Sequence, residues 1–205
     1  MRFSLIPILM AACLSGQAAD RTVFDYSLAT LDGQNAPLAT YKGKVLLITV
    51  IADKSEYSGQ LAKLDDLYKR RKDAGLQVLG VVPNEFAPGE LSSKTGLAKI
   101  YRDDLKLSFP VFGPMEVKGK KQALLFEFLA DKHDNGVDGH VYWLFTKLLV
   151  DRKGNLVAKF DSDIEPDSPE VEAAIVKTLA GEELHPKKDK DEQKAPESDE
   201  DDDSR

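Results

Sequence analysis

Ser55 lies between a long apolar run and a segment with helical spacing, and it is the first residue here that could carry chemistry. As a nucleophile a serine needs a general base within reach and an oxyanion hole. His133 and His140 lie far along the chain, and no GxSxG turn surrounds Ser55. A capping serine, where a strand hands over to a helix, is the reading its position favours. His133, Asp134, Asp138 and His140 form a second group, which could hold a divalent cation. Their spacing fits no ligand pattern, and Asn135-Gly136 and Asp138-Gly139 are turn signals, so a solvated loop without metal is expected. Trp143 is either the floor of a pocket beside Ser55 or a large apolar side chain on a half-buried strand.

The chain has one cysteine, Cys13. Thiol chemistry in the folded body is therefore excluded, as are a disulfide framework, a CxxC pair and a cysteine zinc site. Cys13 falls within residues 1–19, which read as a signal peptide. Arg2 is the only charge there, Phe3 to Ala12 is apolar, and Gly16-Gln17-Ala18 ends in small residues. The apolar run is shorter than the roughly 20 residues of a spanning helix, so no transmembrane span is expected. Export to the periplasm or beyond follows, with the mature chain starting near Ala19 or Asp20. Met10-Ala11-Ala12-Cys13 also resembles a bacterial lipoprotein box. Cys13 is thus either discarded with the leader or kept as a lipid anchor to the envelope.

The other end is polar. Residues 186–205 hold 9 acidic and 5 basic residues, and Ala195 is their only hydrophobic one. Such a segment cannot bury enough apolar surface to offset ordering, so a disordered acidic tail is expected. It accounts for more than half of the net charge of −7. The remaining body is mildly acidic with no basic cluster, which argues against a nucleic-acid partner.

Residues 20–185 are the length of one domain. Val45 to Ile51 reads as a strand buried on both faces, and Leu76 to Val82 as a second. Between them Ser58 to Lys72 has helical spacing: Leu61, Leu64, Leu67 and Tyr68 share a face, Ser58 can cap the start and Gly75 ends it. A helix is expected over Thr95 to Arg102 and another over Gln122 to Ala130. Val141 to Val150 and Asn155 to Phe160 read as a hairpin closed by Asp151-Arg152-Lys153-Gly154. Pro169 to Leu179 closes the domain as a helix, with Val171, Ile175, Val176 and Leu179 inward. The order is β-α-β, a helical crossover, then β-β-α. That is an α/β arrangement of thioredoxin type, a mixed central sheet with helices on both faces.

The residues also resemble a family. Tyr41 to Ile48 (YKGKVLLI), Ala52 to Gln60 (ADKSEYSGQ), Leu64 to Tyr68 (LDDLY), Gly75 to Gly80 (GLQVLG), Phe109 to Phe112 (FPVF) and Trp143 to Asp151 (WLFTKLLVD) are similar, in order and spacing, to glutathione peroxidases. The similarity runs from about Phe24 to Leu179. It implies the thioredoxin-like fold and, for the family, peroxide reduction by a cysteine or selenocysteine. The position matching that residue is Ser55. The supporting glutamine, tryptophan and asparagine match Gly89, Trp143 and Leu144, so only Trp143 is retained. The loop cysteine that can precede Asn84 is Pro83. A serine oxygen cannot follow the thiol oxidation ladder. The resemblance therefore implies a degenerate peroxidase that acts by binding a protein or small molecule in a cleft near Ser55, Tyr57 and Trp143, with no cofactor. The alternative is a family-type oxidoreductase, active in oxidative stress, with residual or non-thiol activity. The short crossover between Asp103 and Val141 resembles members without the oligomerisation loop, which implies a monomer.

Overall fold

In the computed structural model, residues 21–84, 94–131 and 136–184 are described. Residues 1–20 (expected as a leader and containing Cys13), Gly89, His133, Asp134 and residues 185–205 (expected as an acidic tail from 186) lie outside them.

Continuous apolar runs make the centre of the sheet. All of β3 (Val45–Val50) is buried, and β4 (Leu76–Pro83) is buried except at Gln77. They pair in parallel, Val45 opposite Leu76. The full order is β5-β4-β3-β6-β7, with β5 Val111–Met115, β6 Lys147–Val150 and β7 Leu156–Phe160. β5 joins in parallel, while β6 and β7 run antiparallel, so the sheet is mixed as expected. A small hairpin, β1 (Ser27–Ala29) with β2 (Asn35–Pro37), precedes it. Neither β5 nor this hairpin was expected from the sequence. β5 contains Gly113 and Pro114, residues that argue against a strand.

The helix after β3 is α1, Gln60–Arg71, two residues shorter at its start than expected. Gly59, not Ser58, stands at its N-cap, and no side chain caps it. Leu61, Leu64 and Leu67 are buried, and Lys69, Arg70 and Arg71 fill the last turn, where cations suit the helix dipole. Gly75, at φ 106°, makes the left-handed turn into β4.

After α2 (Lys94–Ala98) the expected helix changes character, running on as a π-helical turn over Lys99–Asp104. α3 is Leu124–Ala130 and buries Leu125, Phe126 and Leu129. α4, Pro169–Ala180, is capped by Ser168, whose hydroxyl accepts from Val171 N–H at 3.3 Å. Val171 and Ile175 are buried, but Val176 is 45% exposed, one helical step off the inward face. Glu172 of α4 binds Arg70 and Arg71 of α1 at 2.6 and 2.9 Å, so the two helices lie on the same face of the sheet.

The strand expected over Val141 to Val150 is the main correction. Only Lys147–Val150 is strand. Phe145 sits at φ 60°, a left-handed conformation that no extended run can contain. Trp143 is therefore on a turn, not on a half-buried strand. At the β6–β7 hairpin, Arg152 donates to the carbonyls of Gly43 (2.7 Å), Ala74 (3.3 Å) and Leu179 (3.2 Å).

Candidate functional site

Two chain segments meet at the C-terminal end of β3. One continues directly from β3 and carries Ser55; the other is the turn before β6 and carries Trp143 and Leu144. Phe145 N–H donates to the Val50 carbonyl at 2.6 Å, which fastens the second segment to the end of the strand. The rings of Tyr57 and Phe145 meet with centroids 6.4 Å apart.

Ser55 is partly buried. Its hydroxyl oxygen accepts from Tyr57 N–H at 3.2 Å, and its carbonyl accepts from Ser58 N–H at 3.1 Å. The side chain closes a local turn ahead of α1, the role such hydroxyls take at helix entrances. Two residues earlier, Asp53 N–H donates to the hydroxyl of Tyr101 at 3.1 Å. Tyr101 is 2% exposed, and burial, with the Asp53 charge beside it, pushes its phenol well above the usual range. It acts as a fixed hydrogen-bonding post for the Ser55 loop.

Trp143 is half exposed, and its carbonyl accepts from the Thr146 hydroxyl at 2.8 Å. Leu144 is 6% exposed and belongs to the hydrophobic core. It brings no polar group to the site. The fold thus brings together the segments of Ser55, Trp143 and Leu144. Gly89 lies outside the described residues.

Asp138 and His140 are neighbours, although His133 and Asp134 are not described. The Asp138 carboxylate accepts from His140 N–H (2.9 Å) and from the Tyr142 hydroxyl (3.1 Å), and it contacts His140 Nδ1 at 2.5 Å and Lys159 at 3.7 Å. The backbone hydrogen bond from His140 is the largest cause of a carboxyl pKa held down to about 2. Burial opposes it, and the His140 and Tyr142 side chains and the Lys159 charge add to it. Gly139 lies so close to the Leu129 carbonyl that a Cβ there would clash, which locks this loop onto α3. Asp138 thus ties its own loop together, and among the described residues no group of three or more potential ligands converges on a metal.

Sequence reasoning missed the polar residues behind the site. Lys147, fully buried, donates to the carbonyls of Phe145 (2.8 Å), Asp161 (3.2 Å) and Ile164 (2.6 Å). Gln60, 3% exposed, donates to the Ser162 carbonyl at 2.6 Å. The signal that could have found Lys147 is a charged residue inside a strand otherwise made of Leu and Val. Burial pulls its ammonium down to about pKa 8, opposed by the charges of Glu165, Asp163 and Asp161. No helix among the described residues is long and apolar enough to cross a membrane.

A family model described as glutathione peroxidase matches residues 23–130. The chain is 31% identical over 156 residues to a glutathione peroxidase of Lactococcus lactis subsp. cremoris, covering 76% of this chain and 98% of that one. It is 31% identical over 160 residues to the glutathione peroxidase homolog BsaA of Bacillus subtilis, covering 77% and 98%. Among solved structures, that of Trgpx in apo form matches with a TM-score of 0.62 and 24% identity, over 80% of this chain and 99% of that one. A thiol:disulfide interchange protein of the thioredoxin family from Chlorobium tepidum matches with a TM-score of 0.50 and 21% identity, over 75% and 92%. These two likenesses show a thioredoxin-like fold.

Proposed function

Because the chain belongs to the glutathione peroxidase family, we propose that it is an exported member that has given up the thiol reaction and works by binding. The observation that carries this reading is the residue at the reactive position. By the resemblance Ser55 matches that position, and no cysteine follows Cys13 in the sequence. Its hydroxyl is engaged as the acceptor for Tyr57 N–H. A hydroxyl is not ionised near neutral pH without an adjacent base, and its oxygen has no sulfenic state to enter. Leu144, at the position matching the family's asparagine, adds an apolar side chain where catalysis would use an amide.

The half-exposed Trp143 and partly buried Tyr57 are the surface this reading assigns to a ligand or partner. Aromatic side chains supply much contact area at low entropic cost. Under this reading the protein is a monomer, with Cys13 either tethering it to the envelope or lost with the leader.

The second reading is residual peroxide reduction, and what favours it is the relationship itself: a relative named glutathione peroxidase aligns over 98% of its length. Peroxide consumption by the purified protein, with glutathione or thioredoxin as reductant, separates the two. No turnover above a protein-free control is expected. Sustained turnover would overturn the binding reading.

A further inference from the structure

Lys147 is a buried cation whose hydrogen-bond partners among the described residues are backbone carbonyls and not carboxylates. Its three N–H bonds are matched by three backbone carbonyls. Burying an ammonium is costly, and such groups persist where their geometry fixes something else.

What this one fixes can be read from its acceptors. The first is the carbonyl of Phe145, the residue at φ 60°. A bulky L-residue in that conformation is strained and persists only when its surroundings over-determine it. Here both backbone polar groups of Phe145 are tied, N–H to Val50 and carbonyl to Lys147. Trp143 and Leu144 are the two residues leading into this turn. The other two acceptors, Asp161 and Ile164, belong to the turn after β7, where the Ser162 carbonyl accepts from Gln60. Gln60 is the first residue of α1, five after Ser55. The 161–164 turn is therefore gripped from both walls of the site: by Gln60 from the Ser55 side and by Lys147 from the Trp143 side.

We propose that Lys147 is a positioning residue, whose buried ammonium, acting with Gln60 through the 161–164 turn, holds the Trp143 turn in register with the Ser55 loop. This does not depend on whether the site binds or turns over peroxide.

Trp143 is the single tryptophan, so its fluorescence reports the turn directly. Lys147→Met removes the donors and keeps much of the side-chain volume. In the full chain, folded by circular dichroism, acrylamide quenching of Trp143 should rise at least twofold and the emission maximum should move. Lys147→Arg should recover part of the wild-type signal, and Gln60→Leu should shift it in the same direction as Lys147→Met. A folded Lys147→Met chain with wild-type emission and quenching would overturn the proposal.

Should that variant fail to fold, the wild-type chain still tests it. Raising pH through about 8 converts the ammonium to an amine with two N–H bonds, so one carbonyl loses its donor. The charged groups acting on Lys147 are Asp161, Asp163 and Glu165. The neighbouring Thr49 and Gln60 do not titrate. The folded chain releases this proton before an unfolded lysine does, so the linked term raises stability as pH climbs from 8 toward 10.5. Circular dichroism recorded at each pH separates a change in Trp143 emission from unfolding. One transition centred near 8 is expected, kept in His140→Gln, which removes the imidazole stacked on Tyr142. Emission that stays flat from pH 7 to 10, or a transition lost in His140→Gln, would overturn the proposal.

Discussion

The rings of Tyr57 and Phe145 meet with centroids 6.4 Å apart and planes inclined at 50°. This contact joins the segment carrying Ser55 to the segment carrying Trp143. It falls within the separation at which aromatic pairs attract beyond their buried area. Phe145→Ala should therefore cost about 3–5 kcal/mol, the usual range for a buried phenylalanine. Alanine does not relieve the positive φ either. Urea unfolding followed by circular dichroism measures the loss, and an unchanged midpoint would contradict the packing described here.

Leu144→Asn restores the side chain that the family resemblance places at this position, but into an apolar setting. The change removes a buried leucine and buries an amide, which together should cost about 2–4 kcal/mol. For a domain of this size that corresponds to a drop in melting temperature of roughly 5 °C or more. A calorimetric scan that shows no drop would mean a polar partner for the amide already waits beside Leu144.

Tyr101→Phe removes the acceptor of Asp53 N–H and little else. The expected cost is about 1 kcal/mol. Hydrogen exchange gives the sharper signature: the Asp53 amide should lose protection while the amides of α1 keep theirs. Equal loss at both would show that Tyr101 supports the fold generally rather than the Ser55 loop.

Asp138 makes a pH-dependent contribution whose sign follows from its depressed pKa. The folded carboxyl titrates at about 2, held there first by the His140 backbone N–H, against an ordinary value of 3.8. The stabilisation is thus fully present above about pH 4 and disappears as pH falls toward 2. The gap in urea midpoint between the wild type and Asp138→Asn should be widest at pH 5 and close on acidification. A gap that stays constant would assign the effect to packing.

Much of the fold was legible because its evidence is local. Val45 to Val50 and Leu76 to Val82 are unbroken apolar runs, and only strands buried on both faces need that. Leu61, Leu64 and Leu67 mark one helical face. The Trp143 turn was not legible, since Val141 to Val150 is as apolar as a strand and nothing in Phe145 announces a positive φ. That conformation is held through the backbone of Phe145, whose N–H donates to Val50 and whose carbonyl accepts from the Lys147 side chain. Ser58 failed as a cap for a related reason: Ser55 Oγ already closes the turn ahead of the helix, and the first helical residue moves to Gln60. At the site, Ser55, Trp143 and Leu144 could be placed by resemblance. Tyr101, Gln60 and Lys147 could not, because their partners are backbone groups, and sequence spacing carries no record of those.

Arg152 spans three chain separations with one guanidinium: 109 residues to Gly43, 78 to Ala74 and 27 to Leu179. In kinetic terms, these bonds can form only after β3, the end of α1 and α4 have assembled around the β6–β7 hairpin. Interactions absent from the folding transition state act on the rate of unfolding alone. Arg152→Lys, which loses the planar guanidinium fork that spans these three carbonyls, should therefore speed unfolding severalfold in stopped-flow denaturant jumps and leave refolding near the wild-type rate. The residue would then act as a latch, setting how long the native chain lasts and not how fast it is reached.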